Sequence, residues 1–274
     1  TLYGTVRLGP DTSNIEDTPA IINRYAGYHY SDAYINVFSH THVFGAGIVD
    51  YGNVGIFPIQ AYNDDDLRRM VASKNGYRSG FTHDSERIEP GFYQVYLDRH
   101  KVKVELTATE QVGVHRYSFD DFDEKQRIIL VDSSYALPPD GCKQSYVDID
   151  SSKNEISGSI FFKGFLSRAF GGVTTYFVVT FTSNWTDFGV WTHGRLMHGQ
   201  TTIDGCSSGA YIVLPDNQLQ VTAYVGISFI SIEQARINLH MQTKLESFDS
   251  IRETIQQAWL NELSRFEVYY ISKS

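Results

Sequence analysis

The hydrophobic period of the chain changes once, near Ile230, and divides the sequence into two parts. Before that point, short apolar or alternating runs are separated by Gly, Asn, Asp and Pro, the punctuation of strands and turns. Val102-Lys103-Val104-Glu105-Leu106-Thr107-Ala108 alternates with period two, as does Tyr146-Val147-Asp148-Ile149-Asp150, so each presents one face to a core. Ser151 to Asn154 is a polar turn ahead of Ile156 to Phe162, and a hairpin is expected there. Tyr176 to Phe181 is apolar almost throughout, which fits a strand covered on both faces. Asp216-Asn217 separates Tyr211 to Leu214 from Leu219 to Val225.

After Ile230 the pattern becomes helical. Ser231 followed by Gln234, and Ser250 followed by Glu253, are capping-box patterns, so helices are expected to begin at both. Ile251, Ile255, Ala258, Trp259, Leu263 and Phe266 fall on one stripe of the second helix. Such a stripe needs a partner, either this domain's own sheet or a domain that follows. The expected organisation is a β domain over residues 1–230 and a helical linker over residues 231–274. No fixed-period repeat or low-complexity tract interrupts it.

Bulk properties narrow the function classes. A chain of 274 residues fits one large β domain, since sandwiches reach about 200–250 residues undivided. Aromatics make up 14%, a bias that suits pleated surfaces. A net charge of −9, with no basic stripe, opposes a nucleic-acid partner. No run approaches the ~18 apolar residues of a membrane helix, and Thr1 does not open a signal-peptide pattern. Cys142 and Cys206 form either one disulfide or two buried thiols, and spacing does not decide between them. Asn184-Trp185-Thr186 is a glycan acceptor pattern and points outside the cytoplasm.

Candidate chemistry concentrates in Phe38 to Asn53, FSHTHVFGAGIVDYGN. Gly45 and Gly47 permit turns closed to other residues, while Ser39, His40, Thr41, His42 and Asp50 offer donors and acceptors to a sugar hydroxyl. On an extended segment His40 and His42 point the same way. Zinc would need further ligands in a tetrahedral array, and no other Cys or His stands at a recognisable spacing, so no metal is assigned. His83, Asp84 and Glu86 form a second polar cluster, readable also as a solvated loop. Arg116 in an alternating strand suits pairing with a carboxylate. The run Asp120, Asp121, Asp123, Glu124 lacks the glycine and spacing of a calcium loop and reads as a solvated acidic turn. Trp185 and Trp191 have aromatic faces that suit a sugar ring, with core burial the default for tryptophan. No GxSxG elbow supports a nucleophilic triad.

Four separated motifs give these residues a common context. They are Gly27-Tyr28-His29-Tyr30, the loop Phe38 to Gly52, Thr82 to Tyr93 ending in Pro90-Gly91-Phe92-Tyr93, and Val104 to Tyr117 with Leu106-Thr107-Ala108-Thr109 and His115-Arg116-Tyr117. In this order they resemble the N-terminal domain of glycoside hydrolase family 92, as do Tyr3 to Thr12 and Trp259 to Val268. Ile48 departs from the pattern, standing where many members carry cysteine. The resemblance implies an all-β fold, a large antiparallel β-sandwich (supersandwich) with a C-terminal amphipathic helical linker, leading to an (α/α) barrel. It implies a calcium-dependent, inverting exo-α-mannosidase, secreted or lumenal, whose acid, base and calcium ligands belong to the barrel. An inverting glycosidase needs two carboxyl groups about 6.5–9.5 Å apart, and no such pair is nominated in this chain. By the same resemblance Ser39, His40, Thr41, His42, Gly45, Gly47 and Asp50, with His83 and Glu86, face a mannoside cleft. The other reading is a stand-alone extracellular carbohydrate-binding or structural module.

Overall fold

Strand-forming runs dominate residues 4–14, 25–45, 47–121 and 124–266, which the computed structural model describes, and they assemble two antiparallel sheets. Tyr3, Asp123 and residues 267–274 lie outside the described residues. One sheet runs β1 (Gly9–Ser13), β2 (Tyr34–Ser39), β3 (Gly55–Ala61), β9 (Gln126–Asp132), β16 (Ser208–Val213), β13 (Asp187–Thr192) and β14 (Arg195–His198), with β4 (Ser79–Gly80) beside β2. The other runs β15 (Thr202–Asp204), β10 (Cys142–Asp150), β11 (Glu155–Phe162), β12 (Val173–Phe181), β17 (Gln220–Ser228), β8 (Val112–Phe119), β7 (Val102–Ala108), β6 (Phe92–Leu97) and β5 (Arg87–Glu89). The second sheet thus ends in three-residue strands at both edges. The fold is the antiparallel sandwich with C-terminal helices expected from the sequence.

Alternation decides which side chains fill the space between the sheets. Phe38, Ile56, Phe57, Tyr117, Phe177 and Tyr211 are fully buried there. The expected hairpin pairs β10 with β11, from Ile149 against Ile156 to Ser145 against Ile160. Strand β12 is covered on both faces, as its continuous apolar run predicts: Phe177 and Val179 enter the main core while Val178 lies under helices. Asp216-Asn217 joins strands of different sheets, β16 and β17, so that connection crosses the sandwich.

The helices α1 (Asp64–Val71), α2 (Ile232–Thr243) and α3 (Phe248–Leu263) complete the described elements. Ser231 caps α2, its hydroxyl accepting from the Gln234 amide, as the capping pattern indicates. Helix α3 begins earlier than the Ser250 pattern suggests: Ser247 is its cap, and the Ser250 hydroxyl donates to Glu246 instead. A cap stabilises by about 1 kcal/mol, whereas burying Phe248 or Ile251 contributes about 1.5–3 kcal/mol each. Packing therefore sets the start. Phe248, Ile251 and half-buried Ile255 pack on Phe92, Val112 and Val114 of the second sheet. Beyond them the apolar stripe runs into solvent, with Leu263 and Phe266 exposed by 51% and 84%, and Leu260, on another face, is exposed by 58%.

Two covalent or ionic ties secure the second sheet. Cys142 at the start of β10 is joined to Cys206, just beyond β15, with Cα atoms 6.0 Å apart. Arg116 is bonded by Nε and Nη2 to the two oxygens of Glu105 on the neighbouring strand, at 2.8 and 2.9 Å, and by Nη1 to Asp249 of α3. Replacing both cysteines with serine should lower stability by about 4 kcal/mol, the chain-entropy value for a link across a 64-residue separation. Urea denaturation of the two proteins checks this, and equal midpoints would refute it.

Candidate functional site

The loop after β2 is closed down by buried imidazoles whose protons are fixed by their partners. His40 Nδ1 lies 2.7 Å from the Val54 carbonyl oxygen, which can only accept, so that nitrogen carries the hydrogen. His40 Nε2 is 2.9 Å from His115 Nε2, and His115 Nδ1 is 2.8 Å from the Tyr117 hydroxyl. With both rings neutral, one direction satisfies every atom. Tyr117 donates to His115, His115 donates to His40, and His40 donates to Val54. Burial pushes His40 down to about 4 and His115 well below the ordinary histidine value. The relay joins the first sheet to β8 of the second.

His42 has the opposite environment. Its Nδ1 lies 2.6 Å from the Arg7 carbonyl oxygen and its Nε2 2.5 Å from Asp11 Oδ1. Both nitrogens face acceptors, so the ring is an imidazolium. Burial opposes that charge, and the Asp11 carboxylate and Arg7 carbonyl outweigh it, raising the pKa. Ser39 donates to Asp11 Oδ2 at 2.9 Å and stands 3.0 Å from His42 Nε2. This is a Ser-His-Asp contact without nucleophilic chemistry, because the serine proton is held by the carboxylate and the ring has no lone pair to take it. The two histidines do not point the same way, contrary to the extended-segment reading. Strand β2 ends at Ser39, and the chain turns there, sending His40 between the sheets and His42 back beside Ser39.

Two motif glycines fit this arrangement for lack of a side chain. A Cβ on Gly27, which holds φ +90°, would stand 2.7 Å from His42 Nε2 and would overlap Asp11 Oδ1. A Cβ on Gly113 would stand 2.5 Å from the His40 ring. The rest of the loop is tied to the second sheet as well. Asp50 accepts from the Leu166 and Ser167 amides at 2.7 and 2.6 Å and from the Ser167 hydroxyl at 2.9 Å. Thr41 accepts from the Asn53 amide, and Thr175 of β12 donates to the Asn53 side chain at 3.3 Å. Val54, β-branched, holds φ 62°, a strained conformation that its bonded neighbours maintain.

Of the expected sugar-facing residues, Ser39, His40, Thr41, His42 and Asp50 are therefore buried, with internal partners. Gly45 and Gly47 stand in the open at φ 78° and 60°, next to Phe44, which is 61% exposed. His83 and Glu86 form a further cluster. Glu86 accepts from Tyr28 at 3.1 Å and Tyr93 at 2.7 Å, and pairs with His83 Nδ1 at 2.5 Å. That bond raises the His83 pKa. His83 Nε2 donates to the Tyr30 carbonyl, and the Tyr30 ring, 69% exposed, stacks on His83 at 4.0 Å between centroids. A groove of about 720 Å³ passes His42, Phe44, Glu89, Tyr93, Leu106 and Trp259. Sequence reasoning did not assign Asp11, Asn53, Tyr28, Tyr30 or Tyr93. The alternation of His115 and Tyr117 on one face of β8 was the available signal for an inward polar relay.

Other candidates have structural roles. Trp191 is buried and Trp185 packs edge-on against Phe181. Asp121 pairs with buried Arg127, and Asp120 accepts from Tyr96. Among the described residues no three His, Cys, Asp or Glu side chains are grouped to hold a metal ion.

Comparison with known proteins gives consistent relatives. Residues 2–228 match the family model described as Glycosyl hydrolase family 92 N-terminal domain. A protein of Arthroderma benhamiae described as an uncharacterized secreted glycosidase is 23% identical over 95% of this chain and 35% of its own length. The structure of a family GH92 alpha-mannosidase from Bacteroides thetaiotaomicron in complex with mannoimidazole is similar, with a TM-score of 0.81 and 24% identity, over 97% of this chain and 34% of that one. A family GH92 inverting mannosidase from the same species gives 0.77 and 24%, over 96% and 32%. The chain spans about a third of the length of these relatives.

The two imidazole environments predict opposite pH limbs. His40, depressed from 6.5 to about 4, supports a fold that is fully stable above the unfolded value and weakens as pH falls through that window. His42, raised, contributes stability that is present at low pH and lost as pH rises through its folded value. Urea midpoints across pH should therefore fall at both ends. Asp11→Asn should cost about 3–5 kcal/mol by leaving a buried imidazolium unpaired, and an unchanged midpoint would show that the ring is not charged.

Proposed function

Because the chain belongs to the glycosyl hydrolase family 92 N-terminal domain family, we propose that it is the non-catalytic N-terminal part of a calcium-dependent, inverting exo-α-mannosidase-like protein, contributing a loop to the mannoside-binding cleft. The observation that carries this reading is the clasp beneath the loop. His40, His42, Asp50 and Asn53 use their polar atoms to hold its base, and above that base Phe44, Gly45 and Gly47 are exposed. A base already fastened confines the ordering that a sugar would require to the few residues above it. In this reading the buried members of the predicted set act as supports, and direct contact falls to the Phe44–Gly47 rim and the Tyr30, His83 and Glu86 cluster.

The carboxyl groups of this loop do not suit proton transfer or calcium. Asp11 faces an imidazolium and a serine hydroxyl, and Asp50 holds three amides and a hydroxyl. Membership of the family is what supports assigning calcium, acid and base to the larger remainder of the protein. The exposed end of α3, with Leu260, Leu263 and Phe266, supports docking of such a domain. The disulfide suits an oxidising compartment and supports a secreted or lumenal setting.

In the full-length protein, Phe44→Ala and Tyr30→Ala should each lower kcat/KM for a mannoside about two- to tenfold, the worth of one aromatic contact, with the urea midpoint unchanged. Normal turnover by both variants would remove the rim from the cleft and favour a stand-alone module.

A further inference from the structure

The acceptor pattern Asn184-Trp185-Thr186 takes no part in the rim, and its surroundings support a separate role. Asn184 and Thr186 are exposed in the connection from β12 to β13. The residues on either side of Asn184 are anchored. Trp185 packs against the core, its ring edge-on to Phe181 at 5.8 Å. The Thr186 amide donates to the Val213 carbonyl at 2.9 Å. The Asn154 side chain holds the preceding carbonyls of Phe181 and Ser183 at 2.8 and 3.0 Å. Between these anchors, among the described residues, only the backbone carbonyl of Asn184 is engaged, by the Ser183 hydroxyl, and its side-chain amide faces solvent.

Position along the strand adds a second consideration. Strand β12 passes Asn53 at Thr175, on the rim side, and reaches the acceptor turn after Phe181, roughly 20 Å further along. We propose that Asn184 carries an N-linked oligosaccharide, placed at the end of the sandwich remote from the rim. The transfer joins the Asn184 amide nitrogen to the anomeric carbon of a lipid-diphosphate-linked oligosaccharide. The amide loses one proton and the lipid diphosphate leaves. A glycan there solvates an otherwise bare turn and leaves the rim and the exposed end of α3 free. The inference needs an extracytoplasmic setting but not the mannosidase reading.

The test is expression of the full-length protein through a eukaryotic secretory pathway, followed by intact and peptide mass measurement before and after treatment with a glycan-releasing amidase. The expected result is a glycan on the peptide holding Asn184, converted to aspartate on release, lost in Asn184→Gln and Thr186→Ala and retained in Thr186→Ser. Secreted protein whose Asn184 peptide is unmodified would overturn the inference. Because mannoside turnover is not read, this outcome leaves the mannosidase reading standing.

Discussion

Burial of three imidazoles between and beside two sheets is the constraint from which the rest of this end of the molecule follows. A histidine removed from water must either stay neutral and find a complementary partner for each nitrogen, or be charged and hold a counter-ion. His40 and His115 take the first course, handing one hydrogen bond along from Tyr117 to Val54. His42 takes the second with Asp11. The neutral pair reaches across the sandwich, and the ion pair stays within the first sheet, between β1 and the segment that follows β2. The base of the FSHTH loop is thus fastened in two directions, and the strained backbone at Val54 is tolerated because its surroundings leave it no alternative.

The motifs that suggested sugar chemistry are, at their centres, devices of closure. Gly27 leaves room for the Asp11–His42 pair and Gly113 for the His40 ring. Asp50 has the form of a binding residue, a carboxylate on a glycine-rich loop, and its work is to cap the turn at Ser167. The groups left exposed are Phe44 and its neighbours and the Tyr30 ring laid over His83, and these are the ones the proposed function gives to the sugar.

Much of the fold was legible because strand burial has a period of two. The half-buried β10 with its hairpin to β11, and the doubly covered β12, follow from alternation or its absence, whereas β7, expected to be half-buried, also buries Glu105 and Thr107 because α3 packs on its outer face. The start of α3 was misplaced because a capping pattern is a local signal, while the burial of Phe248 against Phe92 depends on a strand far away in the chain. The candidate site was legible as a cluster of polar residues and not as an assignment of roles. That His40 and His42 diverge is decided by where β2 stops, and that Asp11 is the partner of His42 is decided by strand pairing, neither of which is written in the spacing of the loop.

The two terminal strands of the larger sheet, β5 and β15, offer only three residues each. An unpaired edge of that length presents too few amides and carbonyls to recruit another chain by backbone hydrogen bonding, and this restraint suits a broad sheet that is otherwise open at its margins. Self-association by strand addition at this sheet is thereby discouraged. Exposed apolar side chains such as Leu263 and Phe266 at the end of α3 offer contact through shape, a kind of contact that the short backbone edges of this sheet do not supply.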